Sequence, residues 1–144
     1  MNTNSDINSY PTAGQLERTI SQKVRALYRS QFGHQPSRVE CHLLDNKVVI
    51  SLEDVITPLE KLLEEAQSFT LVGQIRNFID LTIKPKLQEL IEEVSQVSAI
   101  NCLYDTEPST GCAGAIVTLA NPPQIRPKSA KDTASSKRQA TRQI

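Results

Sequence analysis

The apolar positions near the start of the chain follow a helical period. They recur every three or four residues, as expected of one buried helix face: Leu16, Ile20, Val24, Leu27 and Tyr28. Thr12 and Gln15 form a capping-box pattern before this stripe, and Gly33 is typical of a helix end. We therefore predict a first helix between Thr12 and Gly33, preceded by a polar, disordered N-terminus over residues 1–11.

The period then changes to two, which indicates strands with one buried face. The runs RVECHLL and KVVISLE flank Asp45 and Asn46, and a two-residue Asx connection of this kind predicts a β-hairpin. The second strand leads almost directly into the sequence TPLE. There Thr57 is predicted to cap a short helix, with Pro58 at its first position and Glu60 bonding back to the Thr57 amide.

A second helical period covers residues 68–97 and contains Pro85. Because a proline ring removes a backbone hydrogen bond and crowds the preceding turn, we predict a kink or break near residues 82–84. Two further strands are predicted over residues 99–105 and 113–120. The last strand is apolar or small on both sides, so it is predicted to be central in the sheet or to have a face covered by a partner.

The predicted order of elements is α-β-β-α-α-β-β. The corresponding fold class is α+β, with a four-stranded, mainly antiparallel sheet and helices packed on one face. Such a sheet leaves its other face open, and we expect a homodimer to cover it. The residues expected on this open face are Val49, Ile100, Cys102, Tyr104 and Ile116, with the small residues of the last strand.

Charge is unevenly distributed, although the formal net charge is zero. Residues 1–120 carry ten Lys or Arg and fifteen Asp or Glu, a net charge of −5, whereas residues 121–144 carry six Lys or Arg and one Asp, a net charge of +5. We predict one folded domain over residues 12–120 and a flexible, basic, proline-containing tail over residues 121–144. The acidic domain argues against nucleic acid as its ligand. The tail either docks to an acidic partner or anionic surface, or is a plain disordered end.

No segment predicts export or a membrane span. The longest apolar run, AGAIVTLA, is far shorter than the roughly 20 residues of a transmembrane helix, and the N-terminus has no apolar signal region. We therefore expect a soluble, cytoplasmic protein whose three cysteines, Cys41, Cys102 and Cys112, are reduced.

No spacing of residues predicts catalysis. Cys41 and His42 are neighbours on a strand and point to opposite faces, which disfavours a shared metal site. We predict no catalytic residue, no metal and no cofactor, and hence a protein that is not an enzyme.

The loop GHQPSR is the most suggestive candidate for a ligand site. With Arg76, a lone charge between apolar positions, it is suited to binding a small anion. The candidate ligand-binding residues are Gly33, His34, Ser37, Arg38 and Arg76. In the structural alternative, Gly33 ends a helix, Pro36 sets a turn and Arg76 pairs with a nearby carboxylate.

Several of these features, in the same order, resemble the small bacterial family of MpsC-like proteins, which are components of the Na+-translocating membrane-potential-generating system. The resemblance covers about residues 15–120. The matching motif positions are Gly33, Pro36, Thr57, Pro58, Glu60, Arg76, Glu92 and Asp105. The chain departs from the family after the long helix, where a glycine is usual and this sequence has Ser98. The basic tail is similar to that of cyanobacterial-type members.

The resemblance implies an accessory role in a membrane system linked to sodium, membrane potential and bicarbonate supply. The leading hypothesis is a non-enzymatic, dimeric module that acts through an unidentified, membrane-associated protein partner, from the cytoplasm or peripherally at the membrane. The alternative is a module that binds a small anion or nucleic acid through the 33–38 loop, Arg76 and the basic tail.

Overall fold

A computed structural model of the chain describes residues 9–127. Within them, three helices and four strands follow in the predicted order. The helices are α1 (Ala13–Phe32), α2 (Pro58–Glu65) and α3 (Phe69–Ser95), and the strands are β1 (Arg38–Leu44), β2 (Lys47–Glu53), β3 (Ala99–Glu107) and β4 (Cys112–Leu119). The predicted α+β class is confirmed.

The four strands form one antiparallel sheet in the order β1-β2-β4-β3. The predicted hairpin joins β1 to β2, and Asp45 at its turn has a φ of 57°, a conformation that Asx residues tolerate. β4 lies between β2 and β3, so the prediction of a central strand is confirmed. Its inward residues Ala113, Ala115, Val117 and Leu119 are buried, whereas Ile116 on the other face is exposed.

One face of the sheet is covered by α1 and by the C-terminal half of α3. The buried stripe of α1 consists of Leu16, Ile20, Val24 and Tyr28. It packs with Ile83, Leu87 and Ile91 of α3 and with the inward residues of the strands. α2 packs against α3.

The structure corrects two positions of the predicted open face. The register between β3 and β4 shifts at Ile100, which indicates a β-bulge. After this bulge Cys102 pairs with Val117 and is turned to the core, with 4% of its surface exposed, and Tyr104 packs against the same core. Leu103 therefore points to the open side, where 62% of it is exposed. The prediction was wrong because it assumed unbroken alternation from Ile100.

Of the kink or break predicted near residues 82–84, the break does not occur. α3 continues through Pro85 as one helix of 27 residues. The ring of Pro85 deprives the carbonyl of Leu81 of its helical partner, but both residues are exposed, so water can replace that hydrogen bond.

Both predicted terminal segments fall largely outside the described residues. Of the predicted tail, residues 121–127 are described, and they return to the start of α1. The Arg126 amide donates to the Pro11 carbonyl at 2.8 Å, and Pro123 is buried.

Candidate functional site

The join between β2 and α2 is closed by a capping box. Thr57 is the N-cap of α2 and Pro58 follows at its first position, as predicted. One carboxylate oxygen of Glu60 accepts hydrogen bonds from both the amide and the hydroxyl of Thr57, each at 2.7 Å. Glu60 is only 2% exposed, so this cap is buried.

The same carboxylate forms a two-pronged ion pair with Arg76 of α3. Arg76 Nε donates to Glu60 Oε1 at 2.7 Å, and a terminal nitrogen donates to Oε2 at 2.6 Å. Further hydrogen bonds of 3.3 Å reach the Asp80 carboxylate and the Val55 carbonyl. Arg76 is 7% exposed, so its guanidinium is buried among the acceptors of its own chain.

The electrostatics favour a charged pair. Burial raises the pKa of Glu60, but the hydrogen bonds from Arg76 and Thr57 outweigh it, so the pKa lies below the ordinary value. Burial lowers the pKa of Arg76, and its contacts with Glu60 and Asp80 reverse that shift. For Asp80, burial prevails and the pKa is raised despite the hydrogen bonds from Thr106 and Arg76.

Hydrogen bonds extend this pair across the molecule. The Thr106 hydroxyl donates to Asp80 at 2.9 Å and lies 3.4 Å from the Tyr104 hydroxyl, which is 2.5 Å from that of Tyr28. Burial raises the pKa of both tyrosines. We call this chain of contacts the buried polar network; its members are Thr57, Glu60, Arg76, Asp80, Thr106, Tyr104 and Tyr28. It connects α2, α3, β3 and α1.

The buried polar network has a structural role: it connects helices and a strand through satisfied hydrogen bonds. Among the described residues, no buried side-chain nitrogen or oxygen lacks a hydrogen-bond partner. Such full satisfaction fixes the relative positions of the elements that supply the groups. The network therefore holds the α2–α3 pair against the rest of the fold.

The predicted ligand loop is tied to the end of β2. Gly33 has a φ of 64° and ends α1, and its amide donates to the Arg29 carbonyl. His34 Nε2 lies 2.7 Å from the Asp54 carbonyl, and the Ser37 hydroxyl donates to the Asp54 carboxylate. These contacts show how the loop is anchored.

The two candidate arginines do not form a common site, because each pairs with different carboxylates. Arg38 is exposed and pairs with Glu40, whereas Arg76 is buried in its contacts with Glu60 and Asp80. Three carboxylates thus already contact the predicted anion-binding arginines. Anion binding by this loop stays a prediction.

Two further motif positions bond to the backbone around β3. The Glu92 carboxylate accepts the Ala99 amide at 2.9 Å, which connects α3 to the start of β3. Asp105 accepts the Thr106 amide at 2.9 Å and is exposed on the open face. In the turn after α3, the left-handed conformation falls on Gln96, with a φ of 59°, rather than on Ser98.

Large apolar side chains are exposed in two places. The first place is the outer sides of α2 and α3, where Leu59, Leu62, Phe69, Leu71, Phe78 and Leu81 are exposed. The sheet surface, on the open face, consists of the exposed residues Leu44, Ile100, Leu103 and Ile116 and the half-buried Val49. In the second group, Val49, Ile116 and Leu103 are register neighbours across three strands and form a short apolar row. Surfaces of this kind commonly mark interaction sites.

Sequence reasoning found the cap and missed the partner of Arg76. Glu60 and Arg76 are 16 positions apart, and no periodicity relates them. An available signal was that Arg76 is a lone charge between apolar positions, on a helix that a short connection separates from the one capped by Glu60. The tyrosine pair, 76 positions apart, left no comparable signal.

The thiols and histidines form no assembled centre in the described part of the chain. Burial raises the pKa of Cys41 to about 12 and also raises that of Cys102, which keeps both protonated at neutral pH. Residues 9–127 contain no group of three or more His, Cys, Asp or Glu placed to hold a metal ion. None of their helices combines the length and hydropathy of a membrane span.

Comparison with known families gives one match. The model of the family described as Na+-translocating membrane potential-generating system (MpsC) matches residues 12–121. No match was found among curated proteins or among solved structures. Because the matched region includes all the helices and strands described above, the chain belongs to the MpsC family.

Proposed function

We propose that this member of the MpsC family is a non-enzymatic accessory or regulatory module of a membrane-associated ion and bicarbonate system. It acts as a homodimer, in the cytoplasm or peripherally at the membrane, through contacts with a protein of that system. The family description supports the link to sodium and membrane potential. The observation that carries the proposal is the exposure of large apolar side chains on two separate surfaces.

The distribution of polar groups supports recognition through these surfaces. The most deeply buried charges, Glu60 and Arg76, satisfy each other and are withdrawn from solvent. Leu103 and Phe78, in contrast, are each more than half exposed. A protein partner that covers such side chains removes apolar area from water, at roughly 25 cal/mol per Å².

The sheet surface has the composition of a non-obligate protein interface. Its apolar row lies at the centre of the open face, and ionisable side chains such as His42, Asp105 and Glu40 surround it. An apolar centre with a polar rim is the usual organisation of such interfaces. We assign the membrane-associated partner to this surface, which the sequence had led us to expect a second copy of the chain to cover.

The test is complementation of a deletion strain. Loss of the gene is expected to lower the Na+-dependent membrane potential, measured with a potentiometric dye, and the unaltered chain should restore it. Leu103→Glu places a charge in the apolar row and should fail to restore it. Ser51→Glu adds the same charge at an exposed polar position of the same face and should restore it. An unchanged potential after deletion, or full restoration by Leu103→Glu, would refute the proposal.

The alternative, binding of a small anion or nucleic acid by the 33–38 loop with Arg76 and the basic tail, has one supporting feature. The Arg38 side chain is 63% exposed. Titration calorimetry with inorganic phosphate and with a short single-stranded oligonucleotide tests it. Binding that is weakened by Arg38→Gln, and kept by the exposed control Arg29→Gln on α1, would favour this alternative.

A further inference from the structure

We propose that a depression at Gly114, beside the apolar row of the sheet surface, receives an aromatic side chain from a segment of the protein partner that also carries Lys or Arg. The inference rests on the proposed function, which assigns the partner to the sheet surface. It adds the contact through which that partner is recognised and the chemistry of the segment that makes it.

The open face is hollow at Gly114. A depression of about 560 Å³ lies there, and its apolar lining is the row formed by Val49, Leu103 and Ile116. Ile50 and Ala115 also line it, although their side chains are buried on the other side of the sheet. The floor is therefore main chain, left exposed because Gly114 has no side chain to cover it.

The backbone does not require a glycine at this position. Gly111, in the turn before β4, has a φ of 74°, an angle that favours glycine, whereas Gly114 adopts no such angle. A Cβ added to Gly114 would approach the Ile50 carbonyl oxygen at 3.6 Å, an ordinary contact. Glycine weakens the interior of a strand because it has no side chain to pack, and its presence there is typical of a place that another molecule approaches closely.

The sheet itself leaves this glycine uncovered. An aromatic side chain on a neighbouring strand can cover a glycine, but the cross-strand neighbours of Gly114 are Ser51 and Asp105. An aromatic side chain of the partner can take this place, because such residues bury a large area and are the usual anchors of protein interfaces. The hydroxyl of a tyrosine or the ring N–H of a tryptophan could then donate to the exposed Asp105 carboxylate.

The charges around the depression favour a basic segment. The ionisable side chains at the Gly114 end of the open face and in the lining of the depression include four carboxylates and two cations: Glu40, Glu53, Asp105 and Glu107, with Arg38 and Lys84. Four negative and two positive charges leave a net charge of −2. Such a surface attracts a segment with Lys or Arg and repels an anionic lipid surface.

Peptide probes test this contact on the full chain. Acetyl-Lys-Trp-Lys-amide is added to isotope-labelled protein, and the backbone amide shifts are followed by NMR, with the Lys-Ala-Lys and Glu-Trp-Glu analogues as controls. We expect the first peptide to shift the amides of Leu103, Gly114 and Ile116, the alanine analogue to leave them unshifted and the acidic analogue to bind more weakly. A tryptophan peptide that leaves these amides unshifted, or a control peptide that binds equally well, overturns the inference.

Filling the depression gives the matching test on the protein. Gly114→Val should bind acetyl-Lys-Trp-Lys-amide about tenfold more weakly, the loss expected for an anchor contact. Gly73→Ala, at an exposed glycine of α3 with open space around it, should bind unchanged. In urea Gly114→Val should be at least as stable as the unaltered chain, because valine favours strands. Lower stability with unchanged binding would assign the glycine to the fold and overturn the inference. If Gly114→Val does not fold, Gly114→Ala replaces it, and unchanged binding by that variant is equally contrary.

The complementation assay separates this inference from the proposed function. Failure of both Leu103→Glu and Gly114→Val to restore the membrane potential supports both. If Leu103→Glu fails and Gly114→Val restores the potential, the partner uses the sheet surface without the depression, and only the further inference is overturned. An unchanged potential after deletion refutes the proposed function instead, and the peptide titration then decides whether the depression binds an aromatic side chain.

Discussion

The two halves of α3 are stabilised in different ways. In the C-terminal half, Ile83, Leu87 and Ile91 are completely buried against α1 and the sheet. In the N-terminal half, Phe78 and Leu81 are 68% and 65% exposed, and the helix is attached by the ion pair of Arg76. Hydrophobic burial thus fixes one half, while a buried polar network, together with the buried side chain of Ile79, fixes the other.

This difference separates stability from recognition along a single helix. A helix end attached through apolar side chains has to bury them in its own fold. Because Arg76 and Glu60 make the attachment in the N-terminal half, Phe78 and Leu81 stay available for a partner. Forming the buried ion pair costs free energy because both charges lose their hydration. Removing one partner leaves the other charge buried without compensation, which lowers the stability of the fold.

Breaking that connection should produce the largest effect. Arg76→Met leaves Glu60 buried without its partner, which we expect to lower the free energy of unfolding by about 3–5 kcal/mol. Urea unfolding followed by circular dichroism measures the change. Adding Glu60→Gln, which removes the remaining charge, should recover part of the loss. If the two single losses simply add, the pair is not coupled as the structure indicates.

The second largest loss of stability is expected in the C-terminal half of α3, which is fixed by apolar burial. Leu87→Ala removes a fully buried side chain and should lower the free energy of unfolding by about 2–5 kcal/mol. Leu81→Ala makes the same chemical change six residues earlier at an exposed position, so a monomer should lose no more than about 0.5 kcal/mol. Measurements at a concentration where the chain is monomeric isolate the fold. Equal losses at both positions would remove the contrast between the two halves.

Acid pH should weaken the polar half selectively. The folded pKa of Glu60 is below its ordinary value of 4.5, so its stabilisation is complete above that value and is lost as the pH falls through the folded pKa. The stability difference between the unaltered chain and Glu60→Gln should therefore be constant near neutral pH and shrink below about 4.5. Denaturant melts across this range test it, with Glu64→Gln at an exposed position of α2 as the control. A difference that grows on acidification would contradict the pairing.

The two halves also differ in how far the sequence predicts them. The apolar period predicted the helix, because burial at a repeating spacing is a local signal. Leu71 and Phe78 share that period but are exposed. The Thr57 cap is local as well, and it was predicted and observed. The Glu60–Arg76 pair joins distant positions, so the sequence suggested only that Arg76 meets some carboxylate.

The errors have similarly specific causes. Unbroken alternation placed Cys102 and Tyr104 on the open face, but the bulge at Ile100 changes which residues of β3 point inward. The break expected from Pro85 is absent because the proline lies on the exposed side of α3, where water is accessible. In both cases the deciding factor is the position of the residue relative to the rest of the fold.

The cap of α2 should have a moderate effect. Thr57→Ala removes the hydroxyl that accepts the Glu60 amide and donates to its carboxylate. We expect the free energy of unfolding, measured in urea, to fall by about 1 kcal/mol, because the N-cap hydrogen bond is lost and no other group takes its place. Thr57→Ser keeps the hydroxyl and should recover most of it. An Ala variant as stable as the unaltered chain would show that the cap does not contribute.

The smallest effect is expected where the C-terminal half of α3 ends. Gln96 follows the helix with a φ of 59°, and a side chain at such an angle is strained. Gln96→Gly relieves this strain, although it also removes the hydrogen bond from the Gln96 side-chain amide to the Glu93 carbonyl. We expect a net gain of about 0.5 kcal/mol in the free energy of unfolding. Gln96→Ala loses the same hydrogen bond without relief of strain and should be less stable than the glycine variant. The reverse order would mean that the side-chain bond, and not the backbone angle, governs this turn.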